Sequence, residues 1–373
     1  MRQDGLNTVH GFWFAFPAIM VMLFLSACNE GPPPVVVYVS ADERVAAPIF
    51  AAFTKKTGIP VRPLYDTEAT KTTGLANRLR READRPMADV FWSSEPFMVE
   101  QLASEGILVS ATSEILDGHP AAWRHPEGRW FGFSGRARVL VYDPNRLDAE
   151  RIPVAWTDLL KGYFRDQLVM ADPRFGTTRG HLGAMDAYWR ELNIPGYYEA
   201  WLEGLAENGV KMLPGGNAAV VDAVARGEAL VGMTDTDDVW AAQARGMNVK
   251  LVYPRHGLPG EPGGGTLLIP NAAGLVAGGP HPSGGVRFIE YLMSPAVESA
   301  LHESDSHNVP LVSDLEIAER YRVEDPLDVS VSRSSQRMDA AVAEAMRRLD
   351  PERIRRIRKP GPGRSLDDSE VAR

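Results

Sequence analysis

The sequence predicts an α/β fold: two doubly wound lobes joined by two hinge strands. Three observations carry that expectation. From Val35 onward, short β-rich runs alternate with amphipathic helical stretches, the pattern of parallel sheets covered by helices. The alternation comes in two series, the second opening after strand-like runs at 130–133 and 137–142. A Gly- and Pro-rich stretch at 257–265 then precedes the apolar run 266–277, which returns the chain to the first series. Two such crossings make a hinge.

Residues 35–39 (VVVYV) form a buried strand. The polar turn Ser40-Ala41-Asp42-Glu43 supplies N-cap side chains for a helix at 45–57, which carries Lys55 and Lys56 in its last turn and stops at Gly58. A strand at 59–65, a helix at 72–83, a strand at 88–92 and a helix at 95–104 closed by Gly106 continue the lobe, and this order makes it right-handed and doubly wound. The second series runs strand 167–171, helices 178–192 and 197–208, strand 210–213, helix 218–226, strand 229–233, helix 237–245 and strand 249–253. Helices at 286–292 and 295–302 follow the return. The first lobe then takes 35–133 and 266–345, and the second takes 134–265. Residues 346–373 are expected to lack order, because the basic run 353–358 leads into Pro360-Gly361-Pro362-Gly363 and an acidic end.

Cys28 is the sole cysteine, and it follows Leu25-Ser26-Ala27 at the end of the apolar run 12–27. That run suits the core of a signal peptide better than a permanent span. Small residues at Ser26 and Ala27 admit a peptidase, and the Cys28 thiol is a nucleophile that can take up a diacylglyceryl group; the quartet resembles the lipobox of bacterial lipoproteins. Residues 1–27 are then a lipoprotein signal peptide. Residues 28–34, with Pro32-Pro33-Pro34, are an extended tether. The alternative is an uncleaved transmembrane helix, consistent with Asp4 cancelling Arg2 in the N-terminal region. Either way the body lies outside the cytoplasm, in the periplasm or cell envelope; in the lipoprotein reading it is held at the membrane through a lipid on Cys28. No thiol remains for a disulfide, a metal or covalent catalysis. A formal net charge of −9 argues against a nucleic-acid surface.

In open α/β sheets, ligands sit beyond the carboxyl ends of strands, where helix N-termini present free N–H groups. Five loops meet that rule: Ser40 to Asp42; 67–73 with Thr70; Trp92-Ser93-Ser94-Glu95; 174–179; and 234–238. Any one of them alone reads more readily as an ordinary polar cap, and it is all five falling at the same geometric end that nominates them. In Arg174-Phe175-Gly176-Thr177-Thr178-Arg179-Gly180-His181, small residues let backbone N–H groups approach an anion, while hydroxyls and guanidinium groups add charge-assisted bonds. Without a P-loop lysine it reads as an oxyanion or carboxylate cradle, or else as a capped helix with surface arginines. Thr234-Asp235-Thr236-Asp237-Asp238 crowds three carboxylates at a strand end. They await a cationic group or metal, serve as an N-cap with first-turn acids, or pair with Arg136 or Arg179. The candidate ligand-binding residues are thus Ser40, Asp42, Thr70, Trp92, Ser93, Glu95, Arg136, Gly176, Thr177, Thr178, Arg179, Asn217, Thr234, Asp235 and Asp237. No G-x-S-x-G elbow, HExxH pair or Walker lysine is present, so neither catalysis nor a cofactor is expected. An envelope hydrolase with His181 as base, or a sensing module that docks on a receptor, are the competing readings.

Together, Ala88-Asp89-Val90-Phe91-Trp92, Gly132-Phe133-Ser134-Gly135-Arg136-Ala137-Arg138, Ala171-Asp172-Pro173-Arg174-Phe175-Gly176-Thr177, residues 216–228 (GNAAVVDAVARGE) and Ile269-Pro270-Asn271 resemble the ferric-iron-type branch of periplasmic solute-binding proteins of ABC transporters, over residues 35–311. The resemblance implies a type II periplasmic-binding-protein fold, a monomer that closes on a small-molecule ligand, and delivery to an inner-membrane ABC permease without turnover. The sequence departs from ferric binders where iron would bind. Their adjacent tyrosines, hard oxygen donors suited to Fe(III), fall here near Thr236 and Asp237, and the first loop carries Asp42 and Glu43 where some have histidine. Tyr197-Tyr198 lies in a helix, where packing is its expected duty. The expected ligand is therefore an anion or zwitterion: a phosphonate, a sugar phosphate or an amino-acid-like solute. A metal held by carboxylates with a synergistic anion stays open.

Overall fold

The computed structural model describes residues 31–66 and 72–358. Cys28, Thr70, the signal segment and residues 359–373 lie outside the described residues. Strand β1 (Val35–Val39) runs parallel between β2 (Val61–Tyr65) and β3 (Val90–Ser93). Four of its five residues are buried, because helices cover both faces, and this is why the strand is a continuous apolar run and not an alternating one. Helix α1 (Glu43–Thr57) ends at Gly58, whose φ of 75° lets its N–H reach Thr54 O at 2.8 Å. Helices α2 (Thr73–Arg81) and α3 (Phe97–Ser104), the short strand β4 (Leu108–Val109) and one turn of helix, α4 (Glu114–Asp117), follow.

The long strand β5 (Phe131–Tyr142) joins the two halves of the sheet. Its first half pairs antiparallel with β10 (Leu268–Val276), and its second half pairs with β8 (Val231–Asp235) and β9 (Lys250–Val252). The complete order is β2-β1-β3-β10-β5-β8-β6-β7, where β6 is Leu168–Ala171 and β7 is Lys211–Leu213, with β4 on β10 and β9 on β5. The runs expected at 130–133 and 137–142 are therefore one strand with a bulge. Pro270 faces Gly135 while Asn271 faces Phe133, which leaves Ser134 unpaired at a φ of 37°. The glycines that disguise this strand are there for space: a Cβ on Gly132 would sit 3.1 Å from Trp123 O, and one on Gly135 3.0 Å from Leu268 Cδ1.

The second half of the sheet carries α5 (Gly176–Glu191), α6 (Tyr197–Glu207), α7 (Gly216–Ala225) and α8 (Thr236–Ala244). Helices α9 (Pro282–Leu292) and α10 (Pro295–Glu303) return to the first half, where Phe288 packs on Phe50 and Phe53. Two apolar cores result, one under each half. A larger one, with Trp156, Trp189 and Trp201 between α5 and α6, reaches across both.

The carboxyl-terminal region corrects the expectation of an unordered tail from residue 346. Helix α11 (Val331–Arg348) is followed by α12 (Pro351–Arg358). Although residues to 345 were expected with the first lobe, α11 lies chiefly along α5 of the second and also touches α3 of the first. A Cβ on Gly183 would come 2.5 Å from Ser334 O, so the glycine sets the α5–α11 approach. Arg337 pairs with the buried Asp186 at 2.7 Å, and Ser335 Oγ donates to Phe97 O at 2.8 Å. Two arginines anchor the basic run: Arg353 pairs with Glu203 at 2.7 Å and Arg358 with Asp166.

Candidate functional site

A cleft of about 1130 Å³ lies between the two halves, where the amino-terminal ends of α1, α5, α7 and α8 converge with the hinge residues Arg136 and Asn271. The chain makes the α5 end by a tight turn. Asp172, just after β6, accepts from Arg174 N at 2.9 Å, and Gly176 takes a φ of 55°. The residues at the N-cap positions of α5 and α7 are Phe175 and Gly215, whose side chains hold no acceptor. First-turn N–H groups there have no side-chain cap and concentrate positive potential in the cleft.

Behind these two ends lies a buried charge pair. Arg138, wholly inaccessible, donates to Asp235 Oδ1 at 2.9 Å, Asn217 Oδ1 at 3.0 Å, Thr178 Oγ1 at 3.1 Å and Met233 O at 3.3 Å. Asp235 Oδ2 accepts from Asn217 Nδ2 at 2.8 Å and from Thr177 Oγ1. One ion pair thus orients the polar side chains of both first turns. Closer to the hinge, Arg136 donates to Asp237 Oδ2 at 2.9 Å and to Asn271 Oδ1 at 3.4 Å. Burial works against its charge, but the carboxylates of Asp237, Asp235, Asp238 and Asp42 outweigh it and raise the guanidinium above its ordinary value. Oxygens of Asp235, Asp237 and Asp238 lie within 4.8 Å of one another, close enough to hold a cation. Asp235 and Asp237 already face arginines.

Of the candidate residues, Ser40, Asp42, Arg136, Gly176, Thr177, Thr178, Asn217, Asp235 and Asp237 line this one cleft. Five do not. Trp92 sits in the core at 0% exposure, edge-on to Phe50, because β3 is covered on both faces. Ser93 and Glu95 turn inward to cap α3: Ser93 Oγ accepts from Glu95 N at 3.1 Å, and Glu95 accepts from Phe97 N at 2.7 Å. Burial pushes the Glu95 carboxyl up to about 7, against those N–H bonds and the charges of Arg179 and Arg136. Thr234 is buried and donates to Asn217 O at 3.3 Å. Arg179, one step round the helix from Thr178, points to the rear and pairs with Asp339 of α11.

The cleft also contains Ser94, Gly215, Gly216, Asp238, Asn271 and Asn308, which were not among the candidates. The double glycine ahead of a helix was a usable signal for an anion-approachable turn; nothing local marks Asn308. Tyrosine is absent from the described lining. Tyr198 donates to Ala341 O at 2.9 Å and Tyr197 packs edge-on to Trp189, so the pair serves the α6–α11 region. His181 is 1% exposed and shares a 2.9 Å Nε2–Nε2 hydrogen bond with His256. His181, the base of the hydrolase reading, is therefore buried outside the cleft lining.

The geometry has counterparts. Iron uptake protein A1 of Synechocystis is 24% identical over 311 residues, covering 78% of this chain and 82% of that protein. A putative 2-aminoethylphosphonate-binding periplasmic protein of Salmonella typhimurium is 28% identical over 267 residues, covering 71% and 74%. Iron-bound HitA of Pseudomonas aeruginosa superposes with a TM-score of 0.74 at 22% identity, over 85% of this chain and 99% of that one. AfuA of Actinobacillus pleuropneumoniae, with fructose-6-phosphate bound, does so at 0.71 and 16%, over 86% and 99%. These neighbours share the type II periplasmic-binding-protein fold, as the sheet order leads one to expect. Residues 85–326 match the family described as bacterial extracellular solute-binding protein, and with two crossing strands and a cleft between the lobes, the chain belongs to that family.

Proposed function

We propose that the protein captures a short zwitterion, a phosphonate or phosphate group joined through a few bonds to an amine, and presents it to an ABC permease while anchored through Cys28. One observation carries this reading: the cleft has two adjacent poles of opposite sign. The anion pole is made by the first turns of α5 and α7. The acid pole is Asp237 and Asp238 of α8, and the two are joined by Asp235, which bonds Thr177 and Asn217 and lies within 4.8 Å of both acids. That spacing suits charges separated by a short linker. The phosphonate named for one relative and the sugar phosphate bound to one structural neighbour support an oxyanion at the first pole. Iron, named for other relatives, finds no phenolate in the described lining, and Arg136 beside Asp237 opposes a trivalent cation.

Titration calorimetry tests the reading with 2-aminoethylphosphonate, inorganic phosphate, fructose-6-phosphate and ferric citrate. The aminophosphonate is expected to bind at roughly micromolar Kd and to be recovered unchanged. Asp237→Ala should weaken it by about 1–3 kcal/mol while leaving phosphate binding nearly unaltered. Tight ferric binding with a phenolate charge-transfer colour and no response to phosphonate would overturn the proposal.

A further inference from the structure

Glu298 of α10 is 1% exposed and takes no part in the cleft. Its carboxylate accepts four backbone N–H groups: Ser134 at 3.1 Å, Leu311 at 2.8 Å, Ser313 at 2.8 Å, and Val312 at 3.3 and 3.2 Å to the two oxygens. Three consecutive amides make a nest for an anion, which satisfies the buried charge. The donors come from two different places in the chain. Ser134 is the bulged residue of β5, held at a positive φ where the strand passes between lobes. Residues 311–313 belong to a third connecting segment that passes the hinge, since Val309 exchanges two 2.7 Å bonds with Gly135 before the chain continues to α11. The remaining crossing, β10, joins through Asn271, whose Nδ2 donates to Ser134 O at 2.7 Å.

We propose that Glu298 is a positioning residue for solute capture. It pins the Ser134 bulge and residues 311–313 to the first lobe, so that opening and closing take place beyond them, in Gly135 to Ala137 and the facing residues 268–270. Arg136 lies inside that pivot and reaches the cleft. The angle at the bulge therefore sets where its guanidinium stands.

The inference does not depend on the identity of the solute, because the resting distance between lobes is measured without one. Lys55 and Glu228, exposed on opposite lobes, are replaced by ketone-bearing residues and spin-labelled, and the distance distribution is recorded by double electron–electron resonance. Glu298→Gln places an amide N–H₂ among backbone donors and is expected to broaden the ligand-free distribution. Glu298→Asp keeps the charge but retracts the carboxylate by one methylene, so it cannot span both segments and is expected to do the same with less loss of stability. For any solute that binds the parent protein, Kd should rise about five- to tenfold as the competent population falls. Ile289→Val, a core change in the same lobe, should lower the melting temperature and leave the distribution unchanged. Glu298→Asp or Glu298→Gln with a lowered melting temperature but the parent distance distribution would make Glu298 a purely structural carboxylate and overturn the inference. Failure of every solute to bind alongside broadened distances would overturn the solute reading only.

Discussion

Replacing Arg138 with methionine should be among the costliest single changes to this fold. The guanidinium is fully buried and holds Asp235, Asn217 and Thr178 together, and Asp235 is itself 1% exposed. Removing it strands a carboxylate away from water, within 4.8 Å of two others. Breaking a buried pair from one side costs about 3–5 kcal/mol. For a body of roughly 300 residues the unfolding entropy is about 0.6 kcal/mol per kelvin, so the melting temperature should fall by about 5–8 °C. Scanning calorimetry reads the shift directly. Adding Asp235→Asn to the same chain removes the stranded charge and should recover more than half of the loss. A decrease below about 1 kcal/mol for Arg138→Met, or a double variant no more stable than the single one, would refute the claim that this pair neutralises the base of the cleft.

Two further outcomes follow from buried groups at the centre of the molecule. Burial, with the bond to Gly265 O and the Arg138 charge as smaller opposing and reinforcing effects, holds His256 at about 3, and His181 is likewise held well below its ordinary value by burial. Below pH 6.5 the unfolded chain takes up a proton that folded His256 refuses, so stability should fall as pH drops from 6.5 towards 3, by about 2 kcal/mol at pH 5 from this residue alone. Glu95 works in the opposite direction: its folded value of about 7 exceeds the ordinary 4.5, so its contribution is complete below 4.5 and is lost as pH rises through 7. Urea midpoints across pH 4–9 should trace both arms, and Glu95→Gln should flatten the arm above pH 5. Gly180→Ala would place a Cβ 2.1 Å from the Phe97 ring where α5 meets α3, and is expected to cost about 1–3 kcal/mol, part of it recovered by Phe97→Leu. A neutral Gly180→Ala, read by the same melts, would show that this contact is loose.

Much of this architecture was legible because its strands and caps are local statements. The residues of β1 are the ones its valines announce, and Lys55, Lys56 and Gly58 end α1 where charge and left-handed geometry require. The cleft-facing loops were legible for a topological reason: helix N-termini at the carboxyl ends of strands face one side. What escaped depends on side-chain direction. Thr178 and Arg179 are neighbours in sequence, yet one helical step turns the first to the cleft and the second to Asp339. Trp92 lies next to the end of a strand that points at the cleft, but a central strand buries both faces. Glu95 was expected to face the cleft and is the inward cap of α3. Helix α11 was missed because its buried face is mostly small side chains, Ser334, Ser335, Ala341 and Ala345 around a single Met338, and makes sense only against Gly183 of α5. The basic run of α12 has the composition of a solvated tail, and only the acids of distant segments, Glu203 and Asp166, give it a surface.

The late position of α11 in the chain has a consequence for biogenesis. Synthesis proceeds from the amino terminus, yet the inner face of α5 stays bare until residues 331–348 arrive, about 150 residues later by sequence position. The first sheet is likewise incomplete until β10 emerges. A chain cut short before α11 would leave that face of α5 uncovered. Helix α11 thus closes, from the far end of the described chain, a surface that α5 and α3 leave open between them.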